Sequence, residues 1–317
     1  MTIVLCRSLF YVLASLFVFT FQVRFVVFFA NRTANLNKNR EERTAKRERY
    51  DHMKAITSRH NAIVGTFRAL ADEPDSTGAR LLLDGAHLVR EARVSGLRFE
   101  AVAVAASKLA EQTEEGLLAR SLADEGIDVV EATDSVFDAL SPVRSPSGIV
   151  AIAGRSTATA AEICSRPDGL VLAAMDVQEP GNVGALLRAA EAAGCSGAFV
   201  CGISANPFSW KALRGSMGSA LRLPIVAGMT THQVLTCMRK SAMRTIAAVP
   251  RGGEDPDAID WRGKVGLLLG GEGPGLTDEA IARCDACVSI PMAGTVESLN
   301  VAAAGAILVY AARRQRR

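Results

Sequence analysis

Three short stretches hold the polar residues best placed for chemistry. The first is EPGNVGALLRAA at 179–190. Asn182 is a natural N-cap, because its side-chain oxygen can accept from the free amides of a first helical turn. In the helix this predicts over 183–193, only Arg188 and Glu191 are polar. One reading is a surface i, i+3 ion pair between them. The other is a cation presented to a ligand.

The second stretch is LLLGGEGPGL at 267–276, a strand running into a glycine-rich turn and then a helix capped by Thr277. A phosphate cradle would need a following Gly-Lys-Ser/Thr, or a G-x-G-x-x-G spacing that Leu276 breaks. Glu272 lies in the turn, and Asp278 and Glu279 fill the first helical turn. There a bound anion would otherwise gain from the helix dipole. The turn therefore suits a cationic or zwitterionic nucleoside, with a plain tight connection as the alternative. The third stretch is IPMAGTVESLNVAAA at 290–304. A strand ends, a loop with Gly294 follows, and Ser298 and Asn300 stand where a long apolar helix begins. Polar side chains there either cap the helix or face a ligand.

The elements that must position these motifs read as two α/β units. In the first, strands are predicted at 80–84, 99–105, 127–131 and 147–153, with helices at 86–95 and 109–125. That alternation implies a mostly parallel sheet covered on both faces. Residues 155–168 are small and polar without a strong period, and read as a linker. The second unit has strands at 169–175, 197–202, 221–226, 244–249, 264–270 and 287–291. Its helices fall at 183–193, 210–217, 232–242, 277–283 and 299–313. These patterns give a doubly wound α/β fold that binds ligands at the strand C-termini.

Composition narrows the class. The 317 residues are 49% hydrophobic and 22% charged, which excludes a disordered chain. Seven cysteines scattered at 6, 164, 195, 201, 237, 284 and 287 suit a reducing cytosol rather than a disulfide scaffold. Cys284 and Cys287 have no second pair nearby, so no metal site is expected. The net charge is +3, yet residues 61–312 hold 21 bases against 29 acids. Charge alone therefore does not reveal a polyanion partner.

Residues 1–52 are apolar and then basic. Their longest uncharged run, 8–23, has sixteen residues, short of the roughly 20 that a membrane span needs. Three readings stand. One is a membrane anchor, with the basic stretch keeping the rest cytoplasmic. Another is a start assigned too far upstream, the protein beginning at Met53 in the cytoplasm. The third is a signal peptide.

Together and in this order, the three motifs resemble the SpoU/TrmH family, of the SPOUT superfamily, of S-adenosylmethionine-dependent RNA 2′-O-ribose methyltransferases. The resemblance runs from about Ile56 to the C-terminus. It includes ITSRHNAIV at 56–64, LLLDGAHLVREA at 81–92 and NPFSWKALRGSMGSALRLP at 206–224, while residues 1–51 have no counterpart. It implies an α/β fold: a trefoil-knotted parallel-sheet methyltransferase domain at 169–317, preceded by a small α/β RNA substrate-binding domain at 53–154. It also implies S-adenosylmethionine as cofactor, held by the knot's loops at Gly270, Ile290, Met292 and Leu299. Arg188 matches the catalytic arginine. Asn182, Glu272, Ser298 and Asn300 match positions that hold Arg188, the substrate ribose or the loops.

The implied partners are RNA, ribosomal RNA ahead of tRNA, and a second copy in a homodimer, with no metal. A guanidinium stays protonated far above neutral pH. Arg188 is therefore expected to bind the adjoining phosphate and orient the hydroxyl rather than act as a plain base. Lys211, Arg214 and Arg222 are the expected local bases for RNA. Phe208 and Trp210 would either stack on a base or, more plainly, pack in the core. The alternative from another class is a catalytically silent RNA-binding protein on the same scaffold. The presence of all five motif residues weakens it. An ordinary dinucleotide-binding oxidoreductase is disfavoured by the acidic glycine turn.

Overall fold

The computed structural model describes residues 53–111 and 113–316; the apolar and basic extension at 1–52 lies outside the described residues. The first sheet is built from β1 (Lys54–Ile56), β2 (Arg80–Asp84), β3 (Arg98–Ala105), β4 (Val129–Ala132) and β5 (Ile149–Gly154). Their order is β1-β4-β3-β5-β2, with β5 antiparallel to both of its neighbours. Five helices cover it: α1 (Ala62–Asp72), α2 (Ala86–Val94), α3 (Ala106–Ala110), α4 (Glu114–Asp124) and α5 (Asp134–Leu140). Phe67 and Phe137 pack with Leu82, Val130 and Ile152 in its core. The helix expected over 109–125 is two helices. Thr113 restarts the chain by accepting from the Gly116 N–H at 3.4 Å.

Residues 155–168 contain a helix, α6 (Ala160–Ser165), opened by a capping box between Thr159 and Glu162. Its Ile163 and Cys164 are buried in the core of the second sheet. That sheet holds β6 (Leu170–Met175), β7 (Gly197–Cys201), β8 (Ile225–Ala227), β9 (Arg244–Ala248), β10 (Val265–Gly270) and β11 (Ala286–Val288). The order is β11-β9-β10-β6-β7-β8, and every pairing is parallel. The unbroken apolar runs of β6 and β10 follow from burial on both faces. The strand expected at 221–226 is shorter, because Pro224 cannot donate to a ladder and only Ile225–Ala227 pairs.

The covering helices are α7 (Pro180–Ala193), α8 (Trp210–Ser216), α9 (Ser219–Arg222), α10 (Thr231–Lys240), α11 (Asp278–Ala282) and α12 (Val301–Gln315). Helix α7 is the hub, packed against α8, α9 and α12. Gly184 permits this: a Cβ there would lie 2.4 Å from the Ala212 carbonyl oxygen and 2.8 Å from the Ser216 nitrogen.

Side chains of the 206–222 region also grip the first sheet. Asn206 Nδ2 donates to the Pro74 carbonyl at 3.0 Å. Arg155 donates to the Ala220 carbonyl and lies over the buried Phe208 ring, 4.9 Å from its centroid. Among the described residues no helix is long and apolar enough to cross a membrane.

Candidate functional site

Strands β6 and β10 are neighbours, with Met175 opposite Gly270 at their C-terminal ends. The loops that follow them touch, while the cavity at the strand ends is lined by the loops after β9, β10 and β11. Gly271 makes that close approach possible. A Cβ on it would sit 1.9 Å from the Asp176 carbonyl oxygen.

Helix α7 begins earlier than the cap expected at Asn182. Glu179 is the N-cap, accepting from the Gly181 N–H at 3.4 Å, and Pro180 occupies the first helical position, where its fixed φ is favourable. Asn182 is thereby released from capping. Its Nδ2 donates to Glu272 Oε1 at 2.6 Å, and its Oδ1 accepts from Asn300 Nδ2 at 3.0 Å. Asn300 Oδ1 in turn accepts from the N–H groups of Ala302 and Ala303, so Asn300 caps α12 and reaches the network at once. The amide orientations follow from Glu272. An ionised carboxylate only accepts, so it fixes Asn182, and Asn182 fixes Asn300.

The backbone N–H of Gln178 donates to the other Glu272 oxygen at 3.1 Å. Burial alone would raise the Glu272 carboxyl, but the Asn182 side chain and backbone amides outweigh it and hold its pKa below the ordinary value. Glu272 thus stays ionised.

This network borders a cavity of ≈ 830 Å³. Gly270, Ile290, Met292, Ser298 and Leu299, all singled out from the sequence, line it together with Glu272 and Asn300. Its charged walls are Glu272, Asp278 and Glu297 against Arg251. A larger cleft of ≈ 1100 Å³ lies between the two sheets, and none of the three motifs reaches it.

Arg188 is not among the cavity's lining residues. It lies six residues past Asn182, which turns it about 240° around the helix. It is exposed, and among the described residues it makes no ion pair or hydrogen bond. The i, i+3 pairing with Glu191, the plainer of the two readings of Arg188, is not made. Arg222 takes Glu191 instead, through Nε to Oε1 at 2.6 Å and Nη2 to Oε2 at 2.9 Å. Arg222 is therefore not the free RNA-contacting base expected of it. Phe208 is a core residue, while half-buried Trp210 has the Lys211 ammonium 5.4 Å from its ring centroid. Burial pushes the Cys284 thiol up to about 11, and it donates to the Ala280 carbonyl.

A parallel α/β sheet with a cavity at its strand C-termini, walled by apolar and mostly acidic groups, defines a doubly wound protein of the class that binds ligands at its strand ends. Residues 169–310 match the SpoU rRNA Methylase family, and residues 76–151 match the MRM3-like substrate binding domain. A tRNA/rRNA methyltransferase of Synechocystis sp., itself uncharacterized, is 32% identical over 82% of this chain and 94% of its own length. The 23S rRNA (guanosine(2553)-2′-O)-methyltransferase RlmP of Bacillus subtilis is 28% identical over 81% of this chain and 98% of its own. The crystal structure of AdoMet-bound rRNA methyltransferase from Sinorhizobium meliloti superposes with a TM-score of 0.70 at 29% identity, over 82% of this chain and 97% of that one. The chain belongs to the SpoU rRNA methylase family.

Proposed function

We propose that the protein transfers a methyl group from S-adenosylmethionine to a ribose 2′-hydroxyl of structured RNA, with ribosomal RNA favoured over tRNA. The observation that carries this reading is that the second and third motifs line one cavity and the first is hydrogen-bonded to both at its edge. Asn182, Glu272 and Asn300 form a hydrogen-bonded chain, and two of them line its wall. Relatives that are rRNA methyltransferases over nearly their whole length support the same reading.

The cavity's chemistry fits the cofactor. Apolar Ile290, Met292 and Leu299 offer a surface for a nucleoside, and the excess of carboxylates suits a cation better than a polyphosphate. Gly270, Ile290, Met292 and Leu299 would hold it. When bound, it supplies a methyl group on a sulfonium, which is already a good leaving group. The chain's own task is then alignment of the ribose oxygen and help in removing its proton. Arg188, exposed and without an anionic partner, binds the phosphate beside the target ribose and orients its 2′-hydroxyl. The proton leaves to water or to that phosphate, since a guanidinium has no free acceptor. Ser298 and Asn300 hold the loop that closes the cavity.

In this reading residues 53–154 grip the RNA, 155–168 connect, and 169–317 form the methyltransferase domain. The C-terminal segment is threaded as a trefoil knot. Support comes from the path of the chain, which leaves central β10 for edge strand β11 and then returns α12 against α7 and β10. A homodimer is also proposed. Along α12, Ile307 is 44% and Tyr310 47% exposed on one face, an apolar stripe that a second copy would cover. Calorimetry with S-adenosylmethionine in the presence of a chelator should register binding. Mapping 2′-O-methyl positions in total RNA from a knockout and its parent should reveal a lost ribosomal site. Unchanged methylation across both maps would overturn the proposal.

A further inference from the structure

Arg222 and Glu191 are 31 residues apart in sequence yet face each other in a two-pronged pair. The third guanidinium nitrogen, Nη1, donates to Glu91 on α2 of the first sheet. All three nitrogens are thus committed to carboxylates. Gly218 makes room for this: its φ is +92°, and a Cβ there would lie 2.8 Å from the Glu91 side chain. The pair is sheltered, with Arg222 and Glu191 side chains 37% and 27% exposed. Burial would raise the Glu191 carboxyl, but the hydrogen bonds from Arg222 and Ser219 overcome this and lower its pKa.

The location gives the pair its meaning. Glu191 lies three residues past Arg188 on the same helix, a spacing at which opposite charges meet on a helix surface. A carboxylate left free there would fold onto Arg188 and occupy the fork that a phosphate needs. It would also set a negative charge beside the phosphate itself. We propose that Arg222 is a positioning residue for methyl transfer: by holding Glu191 through both carboxylate oxygens, it keeps the Arg188 guanidinium unpaired and open to the RNA phosphate. This rests on the reading of Arg188 given above.

The test uses the full chain, S-adenosylmethionine labelled in its methyl group, and unmodified ribosomal RNA transcripts, under single-turnover conditions. Arg222→Ala should lower the rate at sub-saturating RNA about fivefold, the upper range for one partly exposed ion pair. Affinity for S-adenosylmethionine should stay within twofold. Adding Glu191→Gln to Arg222→Ala should restore the rate to within twofold of the parent, because the amide no longer competes for Arg188. A loss through loosened packing would not be restored, since the double variant lacks the Arg222 contacts equally.

Arg188→Ala is run in parallel to separate the two failures. If it turns over normally, the reading of Arg188 falls and this proposal falls with it. If Arg188→Ala is impaired while Arg222→Ala is normal, the positioning role alone is overturned. Failure of the Glu191→Gln addition to recover the rate overturns the positioning role in the same way.

Discussion

Asn300 Nδ2 donates to Asn182 Oδ1 at 3.0 Å across 118 residues of sequence, joining the start of the last helix to the start of α7. Because Asn182 also donates to Glu272, one amide fixes two loops of the cavity. Asn182→Ala should cost roughly 1 kcal/mol for each hydrogen bond lost, about 2 kcal/mol in all. It should also weaken S-adenosylmethionine binding about tenfold by loosening the wall. Thermal unfolding and calorimetry on the variant check both. A cofactor affinity equal to the parent's would detach this network from the cavity.

Arg188 has the opposite environment, exposed and without a protein partner among the described residues. Arg188→Ala should leave cofactor affinity within a few-fold and slow single-turnover methyl transfer at least about 100-fold, the lower range for a group that assists proton transfer. Arg188→Lys should not recover the rate, since an ammonium lacks the planar fork that can hold a phosphate and a hydroxyl together. Near-normal rates in the alanine variant would remove Arg188 from the mechanism.

Gly184 lies where α7 meets the backbone of α8, with the Ala212 carbonyl oxygen 2.4 Å from where a Cβ would go. Backbone cannot turn aside as a side chain can. Gly184→Ala should therefore destabilise the protein by at least about 1–3 kcal/mol, the usual cost of overpacking. The measurement is a shift in the urea midpoint at constant slope. An unchanged midpoint would mean that the two helices separate freely.

Asp84 gives a pH signature. It is 6% exposed, accepts from Ser141 Oγ at 2.9 Å, and has Arg214 Nη1 at 3.9 Å. Burial raises its carboxyl above the ordinary 3.8, and Ser141 and Arg214 offset that only in part. On titrating upward the unfolded carboxyl ionises first, so proton release favours the unfolded chain. The parent's stability relative to Asp84→Asn should fall as pH rises above 3.8 and level off beyond the raised pKa. Urea unfolding of both proteins between about pH 4 and 8 tests the sign. A parent that gains on the variant over that range would reverse it.

The sequence made some of this legible and hid the rest for physical reasons. The runs that became β6 and β10 stood out because strands buried on both faces are apolar throughout. The residues lining the cavity sat in recognisable turns. The cap at Asn182 was misread because Pro180 and Glu179 start the helix earlier. Helix α5, at seven residues, is too short to show a period. The Arg188–Glu191 pair looked favourable by local spacing, but a two-pronged partner 31 residues away outcompetes an i, i+3 neighbour. Spacing along a chain carries no record of such distant competitors.

The grip between the two sheets has a consequence for recognition. Asn206 on Pro74, Phe208 beneath Arg155, and Arg222 on Glu91 tie the layers together at separate points. A body stapled in this way has little freedom left to lose when a ligand arrives, so ordering the protein adds little to the cost of binding. In the proposed reaction the adaptation would then fall to the RNA, which would have to deform until its target nucleotide reaches the cavity. Selectivity would then reside in how readily a given RNA deforms, as much as in which bases it displays.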